Sequence, residues 1–249
     1  MARDDPDMTT FPRLLAELVR RDGTRPLVTF YDDATGERTE LSVATYANWV
    51  AKVSSLLTEE LDVEHGSRLL VDLPAHWLST VVLGAAWASG LEVVWDGDAE
   101  AVVTGPDGVG RWAGEAMRLP VLATALLPLA GRFADPLPAG VHDLGVEVWA
   151  QPDAYAAWPG PADDDPAVAG TTQRALWSAA AAGSNVSDGG RLLSEANPAS
   201  PPGIASLTEP LARSGSLVLL AHASPERRER IAADERVTHR FDPAQPARS

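Results

Sequence analysis

Cysteine is absent from the 249-residue chain, which excludes disulfides, thiolate nucleophiles and Cys-ligated zinc or iron–sulfur centres. Lysine is almost absent. Lys52 is the only one among 20 basic residues, so chemistry that needs an ammonium group has a single candidate. Positive charge is short as well, because 35 acidic residues give a formal net charge of −15. Nucleic acid requires clustered Lys and Arg to displace counterions, and anionic membrane surfaces repel such a chain, so neither partner is expected.

Long apolar runs are also missing. Residues 1–10, MARDDPDMTT, hold three Asp and no signal-peptide core. The uncharged run Trp77–Leu91 is shorter than the ~20 residues of a membrane helix and is interrupted by Ser, Thr and Gly. The expected location is the cytoplasm, where the sequon Asn185-Val186-Ser187 has no meaning. No G-x-S-x-G elbow, Walker A loop or H-E-x-x-H pair occurs. His65, His76, His142, His222 and His239 are scattered without an i, i+4 pair, so no metal site is expected.

What remains is a globular composition, 45% hydrophobic and 22% charged, in a chain long enough to bury a real core. Phe11, Leu14, Leu15, Leu18 and Val19 recur at helical spacing, with Thr10 as N-cap and Gly23 as the stop. Leu27–Tyr31 and Arg38–Leu41 read as a hairpin around Asp32–Gly36. Ser42 caps a long helix, His65-Gly66 turns into the strand Arg68–Leu73, and Trp77–Ser89 reads as a buried helix that Gly90 stops. Strands are expected at Leu91–Trp95, Ala101–Thr104 and Val121–Leu127, and a helix at Arg111–Arg118. After 128–166, read as an acidic Pro/Ala-rich linker, come the helices Arg174–Ala182, Ile204–Ala212 and Pro225–Asp234 with strands at Arg191–Ser194 and Ser216–Leu220. Such alternation with short turns indicates parallel sheets flanked by helices, an α/β fold in a single domain over 1–249. Gly66, Pro74 and Gly90 read as structural, set by turn and helix-stop geometry.

Gly108-x-Gly110-x-x-Ala113 has the form of a dinucleotide loop, but no ribose-binding acid follows at the right place and a surface loop accounts for it. Asp163-Asp164-Asp165 reads as solvated linker rather than a metal cluster, and Trp49, Trp77, Trp87 and Trp95 read as packing.

The order of several short segments is more informative. Glu40–Tyr46 (ELSVATY), Glu64–Pro74 (EHGSRLLVDLP) and Trp77–Gly90 resemble the N-terminal opening of adenylate-forming enzymes, the group of acyl-CoA synthetases, luciferases and peptide-synthetase adenylation domains. Gly189–Ser194 (GGRLLS), Leu207–Leu220 (LTEPLARSGSLVLL) and Glu226–His239 look similar to later segments of the same family, and the chain is most similar to actinobacterial proteins resembling a truncated N-terminal part of these enzymes. The resemblance implies their N-terminal α/β subdomains, without the C-terminal domain.

It also implies where ATP would bind. The family holds the phosphates with a Ser/Thr/Gly-rich loop ending in Gly-x-Pro-Lys, and the nearest stretch here is Val168–Leu176. In one register Gly170, Thr171 and Thr172 are a remnant cofactor-binding loop, with Gln173, Ala175 and Leu176 in place of the Gly, Pro and Lys. In the other, Thr172–Ala182 matches the helix after the loop and the loop itself is deleted. The family's Tyr-Gly-x-Thr-Glu motif, ribose-binding Asp and catalytic Lys find no room in Thr238–Ser249. The expectation is therefore a non-catalytic interaction or regulatory protein with no catalytic residues and no cofactor. The alternative is a residual AMP, ATP or acyl-CoA binder, or a ligase completed by a partner chain. A homodimer or another protein partner is expected at an exposed edge along Ser216–Leu220, unless the charged helix around Glu226–Arg230 covers it.

Overall fold

A computed structural model describes residues 9–244. The leader reading of residues 1–10 therefore falls largely outside the described residues, as does the tail from 245. In chain order the strands are β1 (Pro26–Asp32), β2 (Glu37–Ser42), β3 (Arg68–Asp72), β4 (Glu92–Val94), β5 (Ala101–Thr104), β6 (Val121–Ala123), β7 (Val141–Asp143), β8 (Pro166–Val168), β9 (Thr171–Thr172), β10 (Arg191–Ser194), β11 (Ser216–Ala221) and β12 (His239–Arg240). The helices are α1 (Phe11–Asp22), α2 (Val43–Ser55), α3 (Trp77–Ala88), α4 (Val109–Trp112), α5 (Leu144–Glu147), α6 (Gln173–Ala182), α7 (Ala205–Ala212) and α8 (Pro225–Asp234).

The strands form two sheets, ordered β12-β10-β11-β1-β2 and β7-β6-β5-β3-β4-β8-β9. All pairings are parallel except the hairpins β1–β2 and β8–β9. Alternation along the strands builds the layers. Leu217 and Leu219 of β11, and Leu69 and Val71 of β3, face a shared core with α1, α2, α3, α6 and α7 between the sheets. The intervening Val218 and Leu220 meet Ile231 and Ala232 of α8 on the far side, and Leu70 meets Val94 and Val102. Every residue of α3 is buried, as an evenly apolar helix requires.

Local chemistry sets many boundaries. The Ser42 side chain accepts from Thr45 N–H at the start of α2, and Ser224 does the same for Arg227 at α8. Gly90 ends α3 at φ +71°, and a Cβ there would run into the His65 imidazole.

Three expectations are corrected. Ser216–Leu220 is no edge, because β11 pairs with β10 on one side and β1 on the other. The described edges of that sheet are the two-residue β12 and the charged β2, and α8 covers a face rather than an edge. The helix expected over Arg111–Arg118 is limited to α4, with turns following it. The strand expected to reach Leu127 stops at Ala123, since Leu126 adopts φ +53° and the chain turns away. Within 128–166, β7 joins the larger sheet, while 151–165 contains no helix or strand. That segment is tied to Lys52, through Gln151 O and Asp153, to Thr58 through Tyr155, and to His65 through Asp165.

Candidate functional site

Gly170, Thr171 and Thr172 lie on the β8–β9 hairpin. Val168 faces Thr171, so Ala169-Gly170 is a two-residue turn, with Gly170 at φ +72°, a conformation glycine adopts without steric cost. β9 then runs directly into α6, with Thr172 as its N-cap. The backbone donors here are already engaged. Ala169 N–H donates to Val93 O at 3.0 Å, and Gly170 N–H to Glu92 Oε1 at 3.3 Å.

The N-terminus of α6, which an anion would need, is equally occupied. Gln173 N–H donates to Asp165 O at 2.8 Å, Arg174 N–H to Asp163 O at 2.9 Å, and Ala175 N–H to Thr172 Oγ1 at 3.2 Å. The Arg174 guanidinium pairs with the Asp163 carboxylate, which also accepts from Thr9. The acidic run is thus a strap over α6 rather than free linker.

Gln173 itself is fully buried and uses both ends of its amide. Its Oε1 accepts from Phe11 N–H at 3.1 Å and Trp177 Nε1 at 3.0 Å, and its Nε2 donates to Trp87 O at 3.1 Å. Phe11, Trp87 and Trp177 form a ring cluster with centroids 5.2–5.6 Å apart around it. Thr10 occupies the N-cap position of α1 but makes no side-chain cap, and Gln173 satisfies that helix end instead.

A second polar group sits where the carboxyl ends of β1, β3 and β10 converge, the usual ligand side of parallel sheets. Glu37 and His76 are 5% and 6% exposed at the side chain, with Oε2 and Nε2 3.6 Å apart. Glu37 Oε1 accepts from Trp77 Nε1 at 3.0 Å and Thr39 Oγ1 at 2.7 Å. Burial raises the Glu37 pKa, but the neighbouring His76 imidazole and the hydrogen bonds from Thr39 and Trp77 outweigh it, so the carboxyl sits below its usual range. His76 Nδ1 accepts from Leu78 N–H, which leaves the ring hydrogen on Nε2, aimed at Glu37 but too far for a hydrogen bond. Asn197 Nδ2 closes the junction on Leu73 O at 2.7 Å. Phe30 and Trp77 enclose the imidazole, so the pair is sealed rather than presented to a ligand.

The Gly108-x-Gly110-x-x-Ala113 segment is similarly filled. Asp72 Oδ2 accepts from Thr104 Oγ1, Arg111 and Trp112 Nε1 at 2.8–3.1 Å, and Thr104 and Asp72 leave no room for a Cβ on Gly108. Trp77 and Trp87 are core, as their positions suggested, with Trp49 and Trp95 partly buried against them. Among the described residues, no group of three or more His, Asp or Glu is arranged to hold a metal ion, and no helix is long and apolar enough to cross a membrane. Neither Gln173 nor Glu37 carries a local signal of these roles.

No family model matches the chain. It is 36% identical over 235 residues to a TIGR03089 family protein of Mycobacterium tuberculosis, covering 90% of this chain and 95% of that one. Among solved structures it is similar to an acyl-CoA synthetase of Brucella canis, with a TM-score of 0.75 at 18% identity, over 91% of this chain and 46% of that one. The fatty acyl CoA synthetase of M. tuberculosis superposes with a TM-score of 0.70 at 15% identity, over 94% and 49%. The N-terminal domain of FACL13 from the same organism gives 0.69 at 14% identity, over 92% and 61%. The chain spans about half the length of the two synthetases, and at these identities the likeness establishes the fold: that of the N-terminal part of acyl-CoA synthetases.

Proposed function

This chain belongs to the TIGR03089 family, and on that premise we propose that it is a non-catalytic cytoplasmic interaction or regulatory protein built on the synthetase N-terminal fold. The carrying observation is the β8–β9 turn. Two residues stand where phosphate binding would need a loop of free N–H groups, and the donors of Gly170, Gln173, Arg174 and Ala175 are spent on Glu92, Asp165, Asp163 and Thr172. A carboxylate held against Gly170 opposes a polyphosphate by charge as well. The acidic balance of the chain supports the same direction, away from anionic ligands.

Pyrophosphate exchange with Mg·ATP and a panel of carboxylic acids tests this reading, with no exchange expected. A thermal-shift screen with ATP, AMP and acyl-CoA is the companion measurement, since a ligand at 100 times its Kd stabilises by ~2.7 kcal/mol. Turnover above the no-enzyme rate, or a shift of that size with a nucleotide, overturns it.

A further inference from the structure

Among the described residues, four of the seven exposed large apolar side chains fall between residues 127 and 149. Leu127, Leu129, Val146 and Trp149 are 46%, 72%, 53% and 54% exposed. The backbone that presents the leucines is strained, since Leu126, Leu129 and Ala130 adopt φ of +53°, +56° and +51°, a conformation that costs non-glycine residues of order 1–3 kcal/mol each. A Leu127–Gly131 bridge closes this turn, and Gly131-Arg132 packs against Gly145 of α5. Val146 and Trp149 follow at helical spacing, with Trp149 braced edge-on by Trp49 at 5.5 Å.

Beside the turn lies an open groove of about 640 Å³ between residues 132–137 and the segment from β7 to α5. Half-buried Phe133, Leu137 and Val141 form its apolar lining, and Val146 stands at its margin. Three carboxylates, Asp135, Asp143 and Glu147, line it against one guanidinium, Arg132. Asp143 is held by Gly145 and Phe133 N–H groups, and Glu147 by His142, so the acidic charge is fixed in place.

We propose that this surface docks a basic, apolar-anchored segment of a protein partner, with leucine-like anchors over Leu129, Val146 and Trp149 and Lys or Arg over the carboxylates. Charge complementarity selects this occupant. A second copy would set the same three carboxylates against each other on a molecule of net charge −15, and an anionic lipid surface meets the same repulsion. An apolar patch rimmed by polar groups is the ordinary anatomy of a protein interface. The inference rests on the reading of the chain as an interaction protein, and the two fail separately: adenylation activity sinks that reading without altering the binding described below.

Fluorescence anisotropy with three labelled synthetic peptides tests it: an amphipathic Leu/Lys peptide, a Ser/Lys peptide of equal charge, and an amphipathic Leu/Glu peptide. The Leu/Lys peptide should bind, and the other two should bind at least tenfold more weakly. Leu129→Ser and Val146→Ser should each weaken binding about tenfold at unchanged melting temperature. Asp135→Asn should weaken it in low salt and less in high salt. Because Leu129 sits in a strained turn, Val146→Ser carries the test if Leu129→Ser melts early. No Leu/Lys binding, equal binding of the Ser/Lys peptide, or binding unchanged by Val146→Ser overturns the proposal. So does light scattering that finds a dimer dissolved by Val146→Ser, which would make a second copy the occupant.

Discussion

Gln173 Oε1 accepts from the backbone N–H of Phe11 at 3.1 Å across 162 residues, so the first residue of α6 closes the first turn of α1. The same amide holds Trp177 and Trp87. One side chain therefore joins three helices, α6, α1 and α3.

Replacing Gln173 with Ala should strand the Phe11 N–H, the Trp177 indole N–H and the Trp87 carbonyl in a buried ring cluster. Each orphaned group costs about 1–3 kcal/mol, so a loss of about 3 kcal/mol or more is expected. Urea unfolding followed by tryptophan fluorescence measures it. A variant as stable as the parent would mean that the amide is not holding these helices.

Acid should unfold the protein through specific carboxylates. Partial burial raises the pKa of Glu37 and Glu235, yet their partners outweigh this and lower it: the neighbouring His76 with the donors Thr39 and Trp77 for Glu37, and Tyr31, Arg191 and Arg38 for Glu235. A folded pKa below the unfolded value of ~4.3 gives stability that is complete above that value and lost as pH falls through the folded pKa. Glu37→Gln and Glu235→Gln should each lower stability at pH 7 and flatten its decline on acidification. Stability measured from pH 7 down to 3 checks the slope, and parallel curves for parent and variants contradict the assignment.

Gly90→Val should be costly for two reasons, the φ of +71° and the His65 imidazole in the space a side chain needs. About 2 kcal/mol or more is expected, which for a chain of this size lowers the melting temperature by roughly 4–8 °C. Gly90→Ala should show a smaller loss. Unchanged melting of the Val variant would remove the helix-stop account of this turn.

Leu217→Asp should fail to fold rather than alter association. Leu217 is fully buried on a central strand between β10 and β1, and an unpaired buried carboxylate there costs at least ~4 kcal/mol. Soluble expression with a native circular dichroism spectrum would place β11 elsewhere than the middle of its sheet.

Local chemistry alone determined a good part of this protein. Ser42 and Ser224 cap the helices they precede, Gly90 stops α3, and the buried Trp77–Ala88 helix is readable from its unbroken apolar composition. Those features depend on neighbours within one or two turns of chain. Strand and helix alternation carried the parallel α/β layering, and the resemblance of several short segments carried the likeness to the synthetase N-terminal part. Only the tertiary structure decided what depends on distant partners. An apolar run such as Ser216–Ala221 reads the same at an edge or at a centre, and pairing with β10 and β1 makes it central. The three-residue β7 has no pattern of its own and exists because β6 offers a ladder. Whether Gly170–Thr172 was a loop or a turn was open in the sequence. Val168 facing Thr171, and Gln173 reaching back to Phe11, closed it, since a hydrogen bond between residues 162 positions apart has no local signature.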